Sequence, residues 1–193
     1  MGRRALVLAT RNPHKLREFA RLLDSAGIEV EQLPDGIELP PEDGHTFVEN
    51  ALPKARTAAE ATGRVAIADD SGIEAEALGG APGVRSARYA GIGASDQENL
   101  DKLVGEAPAG SALRYVCVLA YVDPATGEER LFEGESRGRM AEAPRGSGGF
   151  GYDPVFLVED GRTMAELSDA EKDAISHRGR AARALADWLS AIR

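Results

Sequence analysis

The sequence predicts an α/β domain with a mixed central sheet and helices packed on it. Short apolar runs alternate with amphipathic segments that begin at helix-capping residues, which is the pattern of alternating strands and helices. One run, Leu113–Val122, is apolar at both alternating sets of positions, as expected for a strand covered on both faces. Turn residues 123–127 connect it to the more polar, alternating segment Glu128–Glu135, which predicts a hairpin. One domain over residues 1–193 accommodates all of these elements.

Composition narrows the classes of function open to the chain. It has 193 residues, 42% of them hydrophobic, and a formal net charge of −9. This charge disfavours nonspecific binding to nucleic acid, which depends on clustered lysine and arginine. No apolar run is long enough to span a bilayer, and Ala5–Ala9 is too short for a signal-peptide core, so we expect a cytoplasmic protein. Cys117 is the only cysteine, which excludes an internal disulfide and predicts a buried thiol.

The first strand and helix form a candidate anion site. Ala5–Ala9 predicts the strand, and Asn12 followed by Pro13 is typical of a helix start. An apolar stripe continues the helix to Gly27. The first turn carries basic side chains at His14, Lys15 and Arg17. Because the positive end of the helix dipole lies there, free N–H groups beside these bases predict a phosphate site. The alternative is a solvated basic helix start.

A second strand, a loop and a helix follow. Ile28–Leu33 predicts the strand, and the proline-rich segment Pro34–Gly44 predicts the loop. Glu42 in this loop is either an oxygen ligand or a solvated acid. Thr46 and Glu49 form the capping box of the next helix.

This helix has a small apolar face, which we expect to be buried. Asn50 and Lys54 are four residues apart, so they share the side away from that face. Pro53 lies inside the helix and predicts a kink, because proline removes a hydrogen bond and clashes with the preceding turn.

Two adjacent carboxylates end the most informative apolar run. Val65–Ala68 predicts a short buried strand, and Asp69, Asp70, Ser71 and Gly72 follow it. Neighbouring side chains of a strand point to opposite faces, so one aspartate can face a cleft while the other anchors the loop. A carboxylate at the edge of a core is costly unless it is paired or holds a metal. The alternative is that both aspartates cap a turn.

Two further helices begin with capping boxes. These boxes are formed by Ser95 with Glu98 and by Ser168 with Glu171. The first opens a helix through Leu103. The second begins a helical region that either runs on to Ile192 or breaks near Gly179, and we expect a break just before His177.

A glycine-rich segment matches the dinucleotide fingerprint GxGxxG without its context. Gly146–Gly151 has the required spacing, but the fingerprint must follow a strand and open a helix. Here the chain runs instead into Tyr152, Asp153 and an apolar stretch. A flexible loop that presents Phe150 between glycines favours stacking on a flat ligand, with a plain glycine loop as the alternative.

Taken together, the polar segments resemble one enzyme family. The segments are LATRNPHK, EDGHTFVENALPKA, AIADDSGIEAEALGGAPGVRSARYAG, GFGYDPVF and EKDAISHRG. In this order they resemble the inosine/xanthosine triphosphate pyrophosphatase family over nearly the whole chain. The resemblance implies two lobes around an active-site cleft and a homodimer. It also implies Mg²⁺-dependent hydrolysis of ITP, dITP and XTP to the monophosphate and pyrophosphate, which cleanses the nucleotide pool.

The resemblance also implies roles for individual residues. Asp70 is expected to accept a proton and to contact the metal, and Glu42 is expected to be the second acidic metal contact. Substrate contacts are expected from Thr10, Arg11, Asn12, Pro13, His14, Lys15, Lys54, Ser71, Phe150, Gly151, Tyr152, Asp153, Lys172, His177 and Arg178. Arg11 stands where many family members have glycine, and it adds a cation near the phosphates.

The resemblance implies that residues 10–15 form the phosphate-binding loop, and Lys15, Lys54 and Lys172 are expected to offset the charge on the triphosphate. Donors of His177, Arg178 and the backbone of residues 150–153 are expected to face the 6-keto oxygen of the base. A donor that met the amino group of adenine would be left unpaired, at a cost of about 1–3 kcal/mol. Two other functions stay open: a pyrophosphatase for other altered nucleotides, and a nucleotide-binding sensor without catalysis, which would not need Asp70 with Mg²⁺.

Overall fold

A computed structural model describes residues 4–192 of the chain. The strands in this range are β1 (Arg4–Leu8), β2 (Ile28–Gln32), β3 (Ala66–Ala75), β4 (Ala112–Asp123), β5 (Glu128–Met140) and β6 (Phe156–Leu157). The α-helices are α1 (Pro13–Asp24), α2 (Phe47–Thr62), α3 (Asp96–Glu106), α4 (Asp169–Ile175) and α5 (His177–Ala191). Short 3₁₀ helices span Glu76–Leu78, Gly83–Arg88, Asp153–Val155 and Met164–Glu166. No helix in this range combines the length and the apolarity needed to cross a membrane.

The described strands form one mixed sheet, which confirms the predicted α/β class. Their order is β2-β1-β3-β4-β5-β6. Strand β1 pairs in parallel with β2 and β3, whereas β5 and β6 pair antiparallel. Strands β4 and β5 are neighbours joined by the turn 124–127, as the hairpin pattern predicts.

The chain divides into two compact units, each with its own apolar core. The first contains residues 4–70, 117–134 and 178–192, and the second contains residues 71–116 and 135–177. The core of the first unit includes Phe19, Ile67 and Leu119, together with the buried thiol of Cys117. The core of the second unit includes Ile73, Leu103, Tyr115 and Phe156.

Strand β3 is longer than its sequence predicts. The prediction ended it at the two aspartates, but the strand continues to Ala75. The reason is that Ile73 and Ala75 are fully buried beyond the polar segment. The Ile73 N–H also donates to the buried Ser86 hydroxyl at 2.9 Å. Asp69 and Asp70 therefore lie in the middle of a strand rather than at its end.

The helix starts mostly follow the predicted capping chemistry. Both halves of the capping box are present at Ser95 and at Ser168. At Thr46 only one half forms: its hydroxyl accepts from the Glu49 amide, whereas the Glu49 carboxylate accepts from the amide of His45. The predicted break before His177 is confirmed, because Ser176 is extended and separates α4 from α5. Helix α2 continues through Pro53, and the kink stays a prediction.

Candidate active site

Asp69 is the centre of a buried ion-pair cluster in the first unit. Its Oδ2 atom lies 2.9 Å from Lys15 Nζ and 3.6 Å from Arg178 Nε. Burial opposes ionisation of Asp69, but the charges of Lys15, Arg178 and Lys54 outweigh burial and lower the pKa of Asp69. Asp69 therefore stays ionised, and it anchors cations from α1 and α5 rather than the loop named in the prediction.

Asp70 has the opposite electrostatic environment. Its side chain is buried, and Oδ2 accepts a hydrogen bond of 2.8 Å from Asn50 Nδ2. Burial is the largest effect on this carboxyl group and raises its pKa, with a further contribution from the negative charge of Glu42. Lys15 and Lys54 act against this shift. A carboxyl group with a raised pKa is suited to accept a proton.

Lys54 connects the carboxylates to the loop that precedes α2. Its Nζ atom donates to the Asp69 carbonyl at 2.7 Å and forms an ion pair with Glu42. Lys54 and Asn50 are only 5% and 2% exposed, so the prediction that they lie opposite the buried face of α2 is wrong. Both side chains are buried because they are paired with the polar groups of β3. The pKa of Lys54 is raised because Asp69 and Glu42 outweigh the effect of burial.

The start of α1 is capped in a way that changes the predicted anion site. Asn12 Oδ1 accepts from the amides of His14 and Lys15, at 2.8 and 3.3 Å. The Asn12 amide donates to the Thr10 hydroxyl at 3.2 Å, and Pro13 has no N–H. The free backbone N–H groups of the prediction are therefore engaged by the cap, because Asn12 supplies its own acceptor. Any phosphate at this turn would meet side chains first.

Arg11 binds backbone oxygen atoms in the structure. Its guanidinium donates to the carbonyls of Leu33, Pro34 and Ile37 at 2.9–3.0 Å. The side chain thus joins the phosphate-loop segment to the loop after β2. Its expected contact with phosphate stays a prediction.

Arg178 joins the first helix to the last. Its NH1 atom donates to Glu18 Oε2 at 3.1 Å, and both side chains are about nine-tenths buried. The sequence did not single out Glu18. Its position three residues after Lys15 was the available signal, but its partner lies 160 residues away along the chain.

In the second unit, Asp153 contacts residues predicted to face the purine base. We call Phe150–Asp153, Lys172 and His177 the base-side residues. Its Oδ2 atom accepts from Lys172 Nζ at 2.6 Å and from the Phe150 amide at 2.9 Å. Lys172 Nζ also lies 5.3 Å from the centre of the Phe150 ring. The charge of Lys172 is therefore paired with Asp153 in this structure.

Other predicted residues of the second unit have structural partners of their own. The Tyr152 hydroxyl donates to the Ser86 carbonyl at 2.6 Å, and the Gly151 amide donates to Asp96 at 3.2 Å. His177 is buried and stacks on Tyr115. Ser71 is half-buried on β3. The segment Gly146–Gly151 opens no α-helix, which confirms the rejection of a dinucleotide fingerprint.

The donor set fits a hard divalent cation. Within residues 4–192, no three or more His, Cys, Asp or Glu side chains form a metal-binding group. Mg²⁺ commonly uses only one or two carboxylates and completes its shell with water and phosphate, and the negative charge of Glu42 acts on Asp70. The contacts above bring the cations Lys15, Lys54 and Arg178 together with the carboxylates Glu18, Glu42, Asp69 and Asp70.

A sequence profile described as the Ham1 family matches residues 6–188. The chain belongs to the Ham1 family. It is 52% identical to a dITP/XTP pyrophosphatase of Symbiobacterium thermophilum, over 100% of this chain and 98% of that protein. It is 51% identical to a dITP/XTP pyrophosphatase of Yersinia pseudotuberculosis, over 95% of this chain and 97% of that protein.

Solved structures of Ham1 proteins share the fold. A HAM1 protein from Coxiella burnetii superimposes with a TM-score of 0.85 at 41% identity, covering 97% of this chain and 98% of the other. A nucleoside-triphosphatase, or dITP/XTP pyrophosphatase, from Mycobacterium abscessus gives a TM-score of 0.71 at 43% identity, covering 94% and 98%. The Ham1 assignment confirms the resemblance and the fold class expected from the sequence.

Proposed function

We propose that this Ham1 protein hydrolyses dITP, ITP and XTP to the nucleoside monophosphate and pyrophosphate. The names of relatives that are 52% and 51% identical over nearly the whole chain support this substrate class. The observation that carries the proposal is the buried pair Asp69–Asp70. Asp69 is ion-paired with Lys15 at 2.9 Å, whereas Asp70 accepts a hydrogen bond from Asn50 at 2.8 Å. The pKa of Asp69 is lowered and that of Asp70 is raised, in agreement with these contacts. Adjacent acids with different proton affinities are typical of sites that combine an anchor with a base.

The residues of the first unit supply the chemistry of hydrolysis. Asp70 orients a water molecule and accepts its proton as the water attacks the α-phosphorus. Lys15 and Lys54 offset the negative charge that grows on the phosphate oxygens, which is the main requirement in phosphoryl transfer. Asp69 stays ionised and holds Lys15 at 2.9 Å, so the lysine is positioned before the substrate arrives.

A divalent cation would complete this site. Mg²⁺ held by Asp70 and Glu42 would neutralise phosphate charge and align the triphosphate. The oxygen ligands of Asp70 and Glu42 support this requirement, because carboxylates suit Mg²⁺ and a bound cation would offset the repulsion between them and the triphosphate. Removing Mg²⁺ with EDTA is therefore expected to abolish turnover.

The residues of the second unit select the base. His177 supplies a donor for a 6-keto oxygen, and Phe150 supplies an aromatic face for the purine. The Phe150 and Gly151 amides donate to Asp153 and Asp96, so they hold the loop rather than the base. The 6-amino group of adenine cannot accept the hydrogen bond from His177, so a buried donor would lose its partner at a cost of about 1–3 kcal/mol. This difference favours ITP and XTP over ATP.

Turnover of a panel of triphosphates tests the proposal. Purified protein is incubated with dITP, ITP, XTP, GTP, ATP and a modified pyrimidine triphosphate, with and without Mg²⁺, and pyrophosphate is measured separately from orthophosphate. We expect Mg²⁺-dependent pyrophosphate from the first three substrates. Orthophosphate as the only product would contradict the proposal, and preferred turnover of the pyrimidine would favour a pyrophosphatase for other nucleotides. Binding of ITP without any turnover would identify a sensor.

We also propose that the protein is a cytoplasmic homodimer. The resemblance to the pyrophosphatase family supports this state. Light scattering during size-exclusion chromatography is expected to give twice the chain mass of 20.4 kDa, and cell fractionation tests the location. A monomeric mass at working concentrations would contradict the dimer.

A further inference from the structure

Tyr115 lies at the meeting point of two sets of base-side residues. It is on β4, is 6% exposed and belongs to the core of the second unit. It lies in the largely apolar segment Leu113–Val122, so the pattern predicts only a core residue. In the structure, however, its hydroxyl contacts Asp153 and its ring contacts His177.

The Tyr115 hydroxyl binds the carboxylate that organises the glycine-rich loop. It donates to Asp153 Oδ1 at 3.1 Å. The other oxygen of Asp153 accepts from the Phe150 amide and from Lys172 Nζ. A buried carboxylate with three donors has little freedom to rotate, so the hydroxyl helps to fix the positions of Phe150 and Lys172.

The Tyr115 ring holds His177. The two rings are stacked with centroids 4.5 Å apart and an angle of 9° between their planes. Tyr115 also stacks on Phe156, at 4.5 Å and 25°, and Phe156 is fully buried in the core. The plane of the imidazole is therefore set by a ring that is itself fixed by the core.

We propose that Tyr115 is a positioning residue for recognition of the purine base. It acts through its hydroxyl on Asp153 and through its ring on His177, and it needs no contact with the substrate. The proposal rests on the proposed function, because it assumes that Phe150, Lys172 and His177 face the nucleoside.

Two substitutions separate the two contacts. Tyr115→Phe keeps the ring and removes the hydroxyl, whereas Tyr115→Leu removes both. Loss of one hydrogen bond to a buried carboxylate predicts a rise of about 3- to 10-fold in KM for ITP in Tyr115→Phe, with kcat little changed. Loss of the stack as well predicts a further rise in KM and a fall of about 2- to 10-fold in the ITP-to-ATP ratio of kcat/KM in Tyr115→Leu.

Tyr121 provides a matched control on the same strand. It is buried in the core of the first unit and packs edge-to-face on Trp188, away from the predicted base-side residues in sequence. Tyr121→Phe and Tyr121→Leu measure the general effect of these changes on a buried tyrosine of β4. We expect them to lower the melting temperature and to leave the ITP-to-ATP ratio unchanged.

Binding of IMP, measured by titration calorimetry, gives a readout that does not depend on turnover. Weaker IMP binding in the order wild type, Tyr115→Phe, Tyr115→Leu supports the positioning role. Wild-type KM, selectivity and IMP affinity in a folded Tyr115→Leu protein would overturn it, as would equal changes in the Tyr121 variants. A wild-type protein that binds IMP but releases no pyrophosphate from ITP would contradict the proposed function alone, whereas failure to bind any purine nucleotide would overturn both.

Discussion

The carboxyl groups of the adjacent residues Asp69 and Asp70 have different surroundings. Lys15 and Lys54 act on both carboxylates. At Asp69 they outweigh burial together with Arg178, whereas at Asp70 the effect of burial is larger. The alternation of side chains along β3 explains why consecutive residues reach different partners. Asp69 is thereby suited to hold Lys15, and Asp70 is suited to accept a proton.

Asp70→Asn tests this division of roles. The amide keeps the shape of the side chain but cannot accept the proton or supply full negative charge to a metal. We expect kcat to fall by about 100- to 10,000-fold, with pyrophosphate release as the assay and circular dichroism as the check on folding. Asp43→Asn, at an exposed position beside Glu42, is the control and should keep wild-type turnover. Turnover of Asp70→Asn near the wild-type rate would contradict the role of Asp70.

Site residues that belong to local motifs were predictable from the sequence. Residues whose partners lie far away along the chain were not. Asp69, Asp70 and Lys15 stand out because charged residues directly follow an apolar run or begin a helix. Glu18 and Tyr115 did not, because an acid on a helix and a tyrosine in an apolar strand are ordinary in isolation. Their partners, Arg178 and Asp153, lie 160 and 38 residues away.

At the scale of elements, the cap of α4 predicts a dependence of stability on pH. Glu171 accepts from the Ser168 hydroxyl and amide and pairs with Arg162, which lowers the pKa of Glu171 to about 2 from an ordinary 4.5. A carboxylate with a lowered pKa in the folded state stabilises it above the unfolded pKa. This stabilisation is lost as the pH falls from about 4.5 towards 2.

Glu171→Gln removes this titration and keeps the hydrogen-bonding shape of the capping box. Urea unfolding across that pH range should therefore show a shallower loss of unfolding free energy in Glu171→Gln than in the wild type. Glu159→Gln, at an exposed position in the same unit, should follow the wild-type curve. If the unfolding free energies of wild type and Glu171→Gln fell in parallel with pH, the cap would not contribute to the pH dependence of stability.

The glycine-rich loop needs glycine at position 149, because its Cα lies close to the Asp153 carboxylate. Gly149 has φ +68°, and a Cβ atom there would overlap Asp153 Oδ2 and lie 3.0 Å from Lys172 Nζ. Gly149→Ala should therefore displace the Asp153–Lys172 pair and lower kcat/KM for ITP by about 10- to 100-fold.

Gly161→Ala is the matched control, because Gly161 has φ +83° and no atom within 4 Å of its added Cβ. Backbone strain should lower the unfolding free energy by about 1–2 kcal/mol in both variants. Gly149→Ala should lose more than Gly161→Ala because its Cβ overlaps Asp153, and only Gly149→Ala should affect catalysis. Equal kcat/KM values for the two variants would show that the close approach is unimportant.

Element boundaries were predictable where local chemistry decides them. Asn12, Ser95 and Ser168 begin helices as their side chains predict, because each hydroxyl or amide oxygen binds a nearby N–H. The end of β3 was not predictable from its Asp-Asp-Ser-Gly composition. Burial of Ile73 and Ala75 and the ion pairs of Asp69 override the turn preference of these residues.

At the scale of the whole molecule, stability depends on the apolar cores more than on the site. Leu119 is fully buried in the core of the first unit, so Leu119→Ala should lower the unfolding free energy by about 2–5 kcal/mol. Leu131 is 42% exposed, and Leu131→Ala should change it by less than about 0.5 kcal/mol. Urea unfolding measures both values, and equal effects would contradict the core assignment.

The path of the chain between its two units limits how substrate range can change. The crossings fall at 70–71, 116–117, 134–135 and 177–178, so two of these peptide bonds join predicted site residues, Asp70 to Ser71 and His177 to Arg178. Neither unit is a continuous cassette that recombination could exchange intact. New specificities are therefore expected to arise by substitution in place, and laboratory libraries should randomise chosen positions rather than shuffle segments.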